Sequence, residues 1–226
     1  MPRLINDPVA ELRELVPAPS QPRRVIGLVG LPGAGKSTVA EHWCKAVNQW
    51  LGEATMQCLG MDGFHLSRAE LAALPNATEA LARRGAEWTF DPAALRQHLL
   101  ALRAVDANAK PLPCTWPAFD HAQGDPVPDA VVIAPSTRLV LVEGLYLLLP
   151  DADWALQALF DTVWFLDINN EQAQAQLTRR HMQVWGWSEI QARERVQASD
   201  ALNAQRVWAT RDRADAWVLP ATARNK

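Results

Sequence analysis

A glycine-rich loop followed by a lysine carries the clearest chemistry in this sequence. The stretch GLVGLPGAGKSTVAEHW contains the pattern G-x-x-x-x-G-K-[ST] between an apolar run and a helical pattern. In such a loop, glycines let backbone N–H groups converge on phosphate oxygens at a helix N-terminus, and a serine hydroxyl reaches magnesium. We therefore predict that the loop binds a nucleoside triphosphate with its magnesium, through Gly30, Gly33, Ala34, Gly35, Lys36, Ser37 and Thr38.

Two carboxylates follow apolar runs that read as strands. Asp62 comes directly after ATMQCLGM, and Glu143 ends the run LVLVEG. A carboxylate beside a phosphate-binding loop either serves the metal or accepts a proton from an attacking hydroxyl. We predict the metal role for Glu143 and the role of general base for Asp62. The plainer alternatives are an exposed strand-end glutamate and a helix-capping aspartate.

Basic and imidazole side chains follow other predicted strands. The cluster of Arg179, Arg180, Arg193 and Arg195 is typical of a lid that closes over a triphosphate and stabilises charge on the transferring group, although a solvated helix face is the alternative. His65, Asp120 and His121 follow strand ends, so they are candidates to line an acceptor pocket. A purely structural role is an equally good interpretation of each histidine.

The pattern of elements predicts an α/β protein. Apolar strands alternate with helices, which favours a mostly parallel sheet with helices on both faces, and ligands then bind at the carboxyl ends of the strands. A hairpin is expected between Ala104 and Pro135, and a helix near ADWALQALF. The predicted strands are RRVIGLVG, ATMQCLGM, TRLVLVEGLYLLL, DTVWFLDI and RADAWVLP.

Composition limits the classes of function. The 226 residues carry a formal net charge of -3, which argues against nucleic acid as a partner. Three distant cysteines and the absence of a signal peptide or an apolar run of membrane-spanning length favour a cytoplasmic protein without a membrane partner. We expect an N-terminal helix and linker over residues 1–22, one domain over 23–226 with a lid at about 179–200, and base rates favour a homodimer.

From about Arg24 to Pro220 the chain resembles the P-loop kinase family of uridine kinase, phosphoribulokinase and bacterial pantothenate kinase. The resemblance rests on the loop together with MDGFHL, TFDPAALRQHLLAL, PAFDHAQGDPV, LVLVEGLYLLL and TRDRADAWVLP. It implies a three-layer P-loop NTPase fold with a small helical lid, and an ATP- and magnesium-dependent transfer of the γ-phosphate to a hydroxyl of a small molecule. The branch it is most similar to implies a nucleoside or sugar-like acceptor.

The resemblance also implies roles for individual residues. By position, Asp62 matches the catalytic base, Lys36 and Ser37 the phosphate and magnesium ligands, and Glu143 the glutamate at a strand end. Asp91 resembles an aspartate that binds sugar hydroxyls or, alternatively, a helix cap. The remaining matches are His121 in the acceptor loop, Arg180 and Arg195 in the lid, and Asn203 near the nucleotide.

The sequence departs from the family pattern at two places. The tyrosine and arginine that follow the base in uridine kinases are replaced by His65 and Leu66, and an insert of the bacterial pantothenate kinases is absent between Arg180 and Asn203. We expect His65 to contact the acceptor. A pantothenate-like acceptor, a non-catalytic regulatory ATP-binding protein and an ATP hydrolase remain as alternatives.

Overall fold

The computed structural model describes residues 1–120 and 122–219, and eight strands and eight helices lie within them. The strands are β1 (Arg3–Ile5), β2 (Arg24–Gly30), β3 (Met56–Gly60), β4 (Cys114–Asp120), β5 (Asp125–Ile133), β6 (Leu139–Gly144), β7 (Thr162–Leu166) and β8 (Ala216–Val218). The helices are α1 (Pro8–Leu15), α2 (Lys36–Leu51), α3 (Arg68–Ala73), α4 (Ala77–Ala82), α5 (Pro92–Leu102), α6 (Asn170–Trp185), α7 (Glu189–Arg195) and α8 (Ala201–Trp208).

The main sheet is parallel throughout, which confirms the predicted fold class. Its six strands lie in the order β1-β8-β7-β2-β6-β3. In the central strand β2, consecutive residues such as Val25, Ile26, Leu28 and Val29 are completely buried. Because successive side chains point to opposite faces of a strand, both faces of the sheet must be covered. Helices α2 and α8 both pack against β2.

The N-terminal segment contributes a strand that the sequence analysis did not predict. Helix α1 begins as expected, with Asp7 as its N-cap and Pro8 in the first turn. Before it, β1 pairs with β8 at the edge of the sheet, with Leu4 opposite Trp217. Three residues are too few to show a strand pattern, so only the pairing reveals β1. The proposed domain boundary at residue 22 stays a prediction, but strands from both sides of it form one sheet.

A separate hairpin lies beside the end of β3. Strands β4 and β5 pair antiparallel within the region where a hairpin was predicted. The indole Nε1 of Trp116 donates to the carbonyl oxygen of Gly60 at 2.9 Å. At Gly63, a Cβ atom would lie 2.3 Å from the carbonyl oxygen of Pro117, so only glycine allows the hairpin to approach this closely. The hairpin is thereby held against the turn that carries Asp62.

The predicted helix near ADWALQALF was wrong. This segment forms two short 3-10 turns, Ala152–Trp154 and Gln157–Leu159. The buried side chains in it are Trp154, Leu156 and Phe160. Spacings of two and four residues do not maintain one helical face, so burial of these side chains favours an irregular path.

Arg23 ties the start of β2 to three other segments. Its side chain is 3% exposed and has no ion-pair partner among the described residues. Burial lowers its pKa. Its guanidinium instead donates, over 2.8–3.3 Å, to the carbonyl oxygens of Leu102, Leu112, Ala134 and Thr137. These bonds join the end of α5, the segment before the hairpin and the segment after it.

We predict that Arg23→Gln lowers the free energy of unfolding by about 2–4 kcal/mol, since it leaves buried carbonyl oxygens without donors. Denaturant unfolding followed by circular dichroism measures the change. The side chain of the neighbouring Arg24 donates only to the carbonyl oxygen of Leu15 among the described residues, so Arg24→Gln is the matched control and should cost about 1 kcal/mol or less. Equal losses in the two variants would contradict the role assigned to Arg23.

Candidate active site

The glycine-rich loop connects β2 to α2 and needs two glycines for its shape. Gly33 and Gly35 have φ values of 78° and 84°, the left-handed region that favours glycine. A Cβ atom on Gly33 would also lie 2.4 Å from the carbonyl oxygen of Ala173 and 2.8 Å from Cβ of Leu177, both in α6. Gly33 therefore lets the first half of α6 pack directly onto the loop.

A cavity of about 400 Å³ opens at this loop. It is lined by Gly33, Gly35, Lys36, Ser37, Thr38, Gln176 and Arg180. The structure thus brings Arg180 of α6 to the predicted phosphate-binding residues. Gly30 and Ala34 lie behind the lining: a Cβ atom on Gly30 would be 3.2 Å from Leu166, and Ala34 is 5% exposed. Their contribution is to the backbone path of the loop.

Lys36 is buried and lines this cavity, and the half-buried Glu143 is hydrogen-bonded to Ser37 of the same lining. The ammonium of Lys36 donates to the carbonyl oxygens of Gly30 and Leu31 at 3.0 and 3.2 Å. Burial lowers the pKa of Lys36, and the nearby charges of Glu143 and Asp62 oppose that shift. Burial raises the pKa of Glu143, against the attraction of Lys36. Both ions are therefore held in an environment that disfavours charge, and a bound phosphate and cation would relieve it.

Ser37 and Glu143 present two oxygens at one point. The hydroxyl of Ser37 donates to Oε1 of Glu143 at 2.7 Å. Among residues 1–120 and 122–219, no group of three or more His, Cys, Asp or Glu side chains is arranged to hold a metal ion. Nucleotide-bound Mg²⁺ takes only one or two ligands from the protein and the others from phosphates and water. The pair Ser37 and Glu143 fits that kind of site.

Asp62 stands between the phosphate cavity and a second cavity. It belongs to a short 3-10 turn, Met61–Phe64, whose N-cap is Gly60, so the alternative of a capping aspartate was wrong. Its charge acts on both Lys36 and Glu143. Its side chain is exposed and borders a cavity of about 460 Å³ on the other side. The carboxylate is thus accessible to a molecule bound in that second cavity.

The second cavity is lined by His65, as expected, and by residues that the sequence analysis missed. The ring centroids of His65 and Phe90 are 3.9 Å apart, and Nδ1 of His65 is 2.8 Å from the carbonyl oxygen of Asp62. The missed lining residues include Arg68, Arg84, Phe119, His181, Trp185 and Trp187. They come from four separate segments, and no spacing in the sequence connects them. His121 lies outside the described residues, and its predicted role stays a prediction.

Asp91 has the structural role that was given as its alternative. Its Oδ1 accepts from the backbone N–H of Ala94 at 2.9 Å and caps α5. It lines a third cavity of about 550 Å³, together with His65 and His98, and it does not line the one beside Asp62. The helix N-terminus uses only Oδ1 of Asp91, and the predicted role in binding acceptor hydroxyls stays a prediction.

The two lid arginines separate, which corrects their grouping. The predicted lid, 179–200, covers the end of α6, all of α7 and a π-helical turn, Val196–Asp200. Arg180 lines the phosphate cavity, but Arg195 lines the second cavity and donates to the carbonyl oxygens of Ala82 and Arg84. Arg195 thus anchors α7 to the end of α4.

Asn203 is a buried structural residue in this fold. It is 3% exposed, its amide donates to the carbonyl oxygen of Gly85 at 3.1 Å, and its carbonyl accepts from Arg83 at 3.4 Å. Asn203 lines neither the phosphate cavity nor the second cavity. Its polar atoms are used to hold the segment between α4 and α5, so the predicted contact with the nucleotide has no support here.

None of the helices in the described ranges is long and apolar enough to cross a membrane.

Comparison with known proteins gives consistent matches. Residues 25–218 match the model of the Phosphoribulokinase / Uridine kinase family. A Schizosaccharomyces pombe protein, C227.14, named provisionally as a uridine kinase, is 39% identical over 186 residues, which are 81% of this chain and 77% of that protein. The ATP-dependent kinase-like protein notR' of Aspergillus versicolor is 43% identical over 146 residues, 64% of this chain and 84% of that one.

A solved structure extends the similarity to nearly the whole chain. The crystal structure of a Silicibacter sp. TM1040 protein, named provisionally as a fructose transport system kinase, superimposes with a TM-score of 0.80 at 29% identity. The similarity covers 95% of this chain and 100% of that chain. With the loop, the strand-end carboxylates and the parallel sheet already described, these matches establish that the chain belongs to the phosphoribulokinase and uridine kinase family of P-loop kinases.

Proposed function

We propose that this kinase transfers the γ-phosphate of ATP, with Mg²⁺, to a hydroxyl group of a small molecule bound in the second cavity. The observation that carries the proposal is the position of Asp62. Its carboxylate borders that cavity, and Gly60, two residues before it, lies opposite Glu143 of the phosphate site in the sheet. A general base must stand between donor and acceptor in this way. The names of the relatives, a uridine kinase and a fructose transport system kinase, support a nucleoside or sugar-like acceptor.

The proposed reaction assigns each residue one task. Asp62 accepts the proton of the acceptor hydroxyl as its oxygen forms a bond to the γ-phosphorus. The bond between that phosphorus and the β,γ-bridging oxygen breaks, and ADP leaves. Lys36 and the backbone N–H groups of the loop bind the β- and γ-phosphates, and Arg180 stabilises charge on the transferring group. Ser37 and Glu143 would hold the magnesium, which neutralises charge on the phosphates.

Two other functions, a regulatory ATP-binding protein and an ATP hydrolase, make different predictions for the same experiments. A regulatory ATP-binding protein would not need an accessible carboxylate between two cavities. An ATP hydrolase would release phosphate at a rate that no added acceptor changes, and a cavity of about 460 Å³ beside Asp62 would be larger than water requires.

We predict that Asp62→Asn abolishes phosphate transfer while binding of ATP survives. An amide cannot accept the proton, and loss of a general base costs roughly 10²–10⁴-fold in rate. Product formation is measured by mass spectrometry, and ATP affinity by calorimetry. Turnover by the variant equal to that of the wild type would refute the assignment of Asp62.

We predict that Lys36→Met leaves the free energy of unfolding unchanged or raises it. The reason is that removing a buried ammonium, whose charge is disfavoured by burial, offsets the loss of its hydrogen bonds to the carbonyl oxygens of Gly30 and Leu31. The affinity for ATP should fall by roughly 30-fold or more, because loss of one partner of a hydrogen-bonded charge pair costs about 2–5 kcal/mol. Lys45, an exposed lysine of the same helix, is the matched control. A Lys36→Met protein that binds ATP normally would argue against this phosphate site.

We predict different effects for the two lid arginines. Arg180→Gln should lower kcat by roughly 100-fold or more, since a preorganised cation at the developing charge contributes several kcal/mol. Arg195→Gln should reduce kcat by less than about tenfold and lower the melting temperature, because it loses two hydrogen bonds to carbonyl oxygens that contribute about 1 kcal/mol each. Steady-state kinetics and thermal unfolding distinguish them, and the reverse ranking of kcat would contradict the division.

A further inference from the structure

The cavity beside Asp62 carries more positive than negative charge. Three arginines, Arg68, Arg84 and Arg195, line it, and Asp62 is the one carboxylate among its described lining residues. Its volume of about 460 Å³ suits a small molecule. A site for neutral hydroxyl compounds would have no need of such an excess. What each arginine binds within the protein decides which of them is available to a ligand.

Arg84 and Arg195 are occupied by the protein itself. Nη2 of Arg84 donates to the carbonyl oxygen of Leu66 and to Oδ1 of Asp125, each at 2.9 Å. Arg195 donates to two backbone carbonyl oxygens at the end of α4. These contacts hold the hairpin, α4 and α7 around the cavity. The charge of Arg84 is therefore balanced by Asp125, and both guanidinium groups have few donors left for a ligand.

Arg68 is positioned by its backbone and leaves its guanidinium available. Its N–H donates to Oδ1 of Asp125 at 2.8 Å, and a capping box between Ser67 and Glu70 starts the same helix. Across residues 1–120 and 122–219, nothing makes a hydrogen bond or an ion pair with its guanidinium. The fold nevertheless makes room for this group. A Cβ atom on Gly124, whose φ is 72°, would lie 2.4 Å from Nη2 of Arg68.

We propose that Arg68 binds an oxyanion group of the acceptor, a carboxylate or a phosphate, while the acceptor hydroxyl faces Asp62. This inference rests on the proposed function and narrows its acceptor from nucleoside- or sugar-like compounds in general to small hydroxyl compounds that carry an anionic group. The planar guanidinium carries five N–H donors in a fork that matches two oxygens of a carboxylate or phosphate. Arg68 is exposed while the cavity is open, so a neutral acceptor that covered it would remove water from the guanidinium without supplying a partner, and Arg68 thereby discriminates against neutral sugars.

The walls of the cavity strengthen such an ion pair. Trp185 and Trp187 stack with their ring centroids 5.9 Å apart. Phe119 belongs to the hairpin, and its ring centroid lies 5.0 Å from that of His65. These rings border the cavity together with Arg68. Aromatic walls displace water from a bound ligand and lower the local dielectric constant, in which a charge-assisted hydrogen bond is stronger.

The test compares matched acceptors with and without an anionic group. The pairs are D-glycerate with glycerol, for the carboxylate, and ribose 5-phosphate with ribose, for the phosphate. We expect the anionic member of at least one pair to have a kcat/KM at least tenfold higher. Arg68→Gln should then raise KM for that compound tenfold or more, leave its kcat within threefold and leave the neutral member unchanged. Arg68→Lys, which keeps the charge, should restore part of the loss.

Arg3→Gln is the matched control. Arg3 pairs with Glu11, its side chain is exposed, and it does not line the cavity beside Asp62. The inference is overturned if the neutral members are equally good acceptors, or if Arg68→Gln lowers kcat for both members of a pair alike. Which pair responds decides between carboxylate and phosphate.

A binding measurement separates failure of this inference from failure of the proposed function. If no acceptor is turned over, the kinase assignment to these acceptors fails, and thermal unfolding is measured with the same four compounds. A non-hydrolysable ATP analogue with Mg²⁺ is present, so that the phosphate loop is already filled. A larger stabilisation by an anionic compound than by its neutral partner, lost in Arg68→Gln, supports the oxyanion site. Equal shifts for both members overturn it.

Discussion

The parallel register of β2, β6 and β3 is the constraint on which the rest of the site depends. Glu143 on β6 lies opposite Leu28 of β2 and Gly60 of β3, so the carboxyl ends of all three strands lie close together on one side of the sheet. The loop that follows β2, the carboxylate of Glu143 and the turn with Asp62 therefore meet there. A shift of one residue in this register would turn the Glu143 side chain to the other face of the sheet and break its hydrogen bond with Ser37.

At the carboxyl ends of these strands, the charged residues that the proposed function requires are unfavourable for the stability of the fold. Lys36 is buried and Glu143 is half-buried, and burial shifts the pKa of each towards the neutral form, so both charges are disfavoured without a bound ligand, although they attract one another. The sheet compensates for this cost with strands that are completely buried over most of their length. Arg23 contributes at the opposite end of β2, where its hydrogen bonds connect segments far apart in the sequence.

The helices after β7 contribute lining residues to two different cavities. The start of α6 packs on the loop at Gly33, and one later turn presents Arg180 to the phosphate cavity. Farther along, His181 bonds to Asp200 at 3.1 Å and ties α6 to the π-helical turn, while Arg195 is bound to α4. Single π-helical turns are frequent at functional sites. The same segment thus reaches the proposed donor through one arginine and borders the proposed acceptor cavity through another.

The sequence by itself determined the elements whose signals are local. The glycine loop between a strand and a helix, the strand-end carboxylates Asp62 and Glu143, and the alternation of strands and helices were all readable because each depends on neighbouring residues. Only the tertiary structure decided that β1 completes the sheet, that Arg195 and Asn203 bind backbone, and that Arg68 faces the cavity with an available guanidinium. The physical reason is that these outcomes depend on contacts between segments far apart in the chain. The hydrogen-bond partners that an arginine or an asparagine finds depend on which segments pack around it, and the spacing of residues in the sequence does not show that.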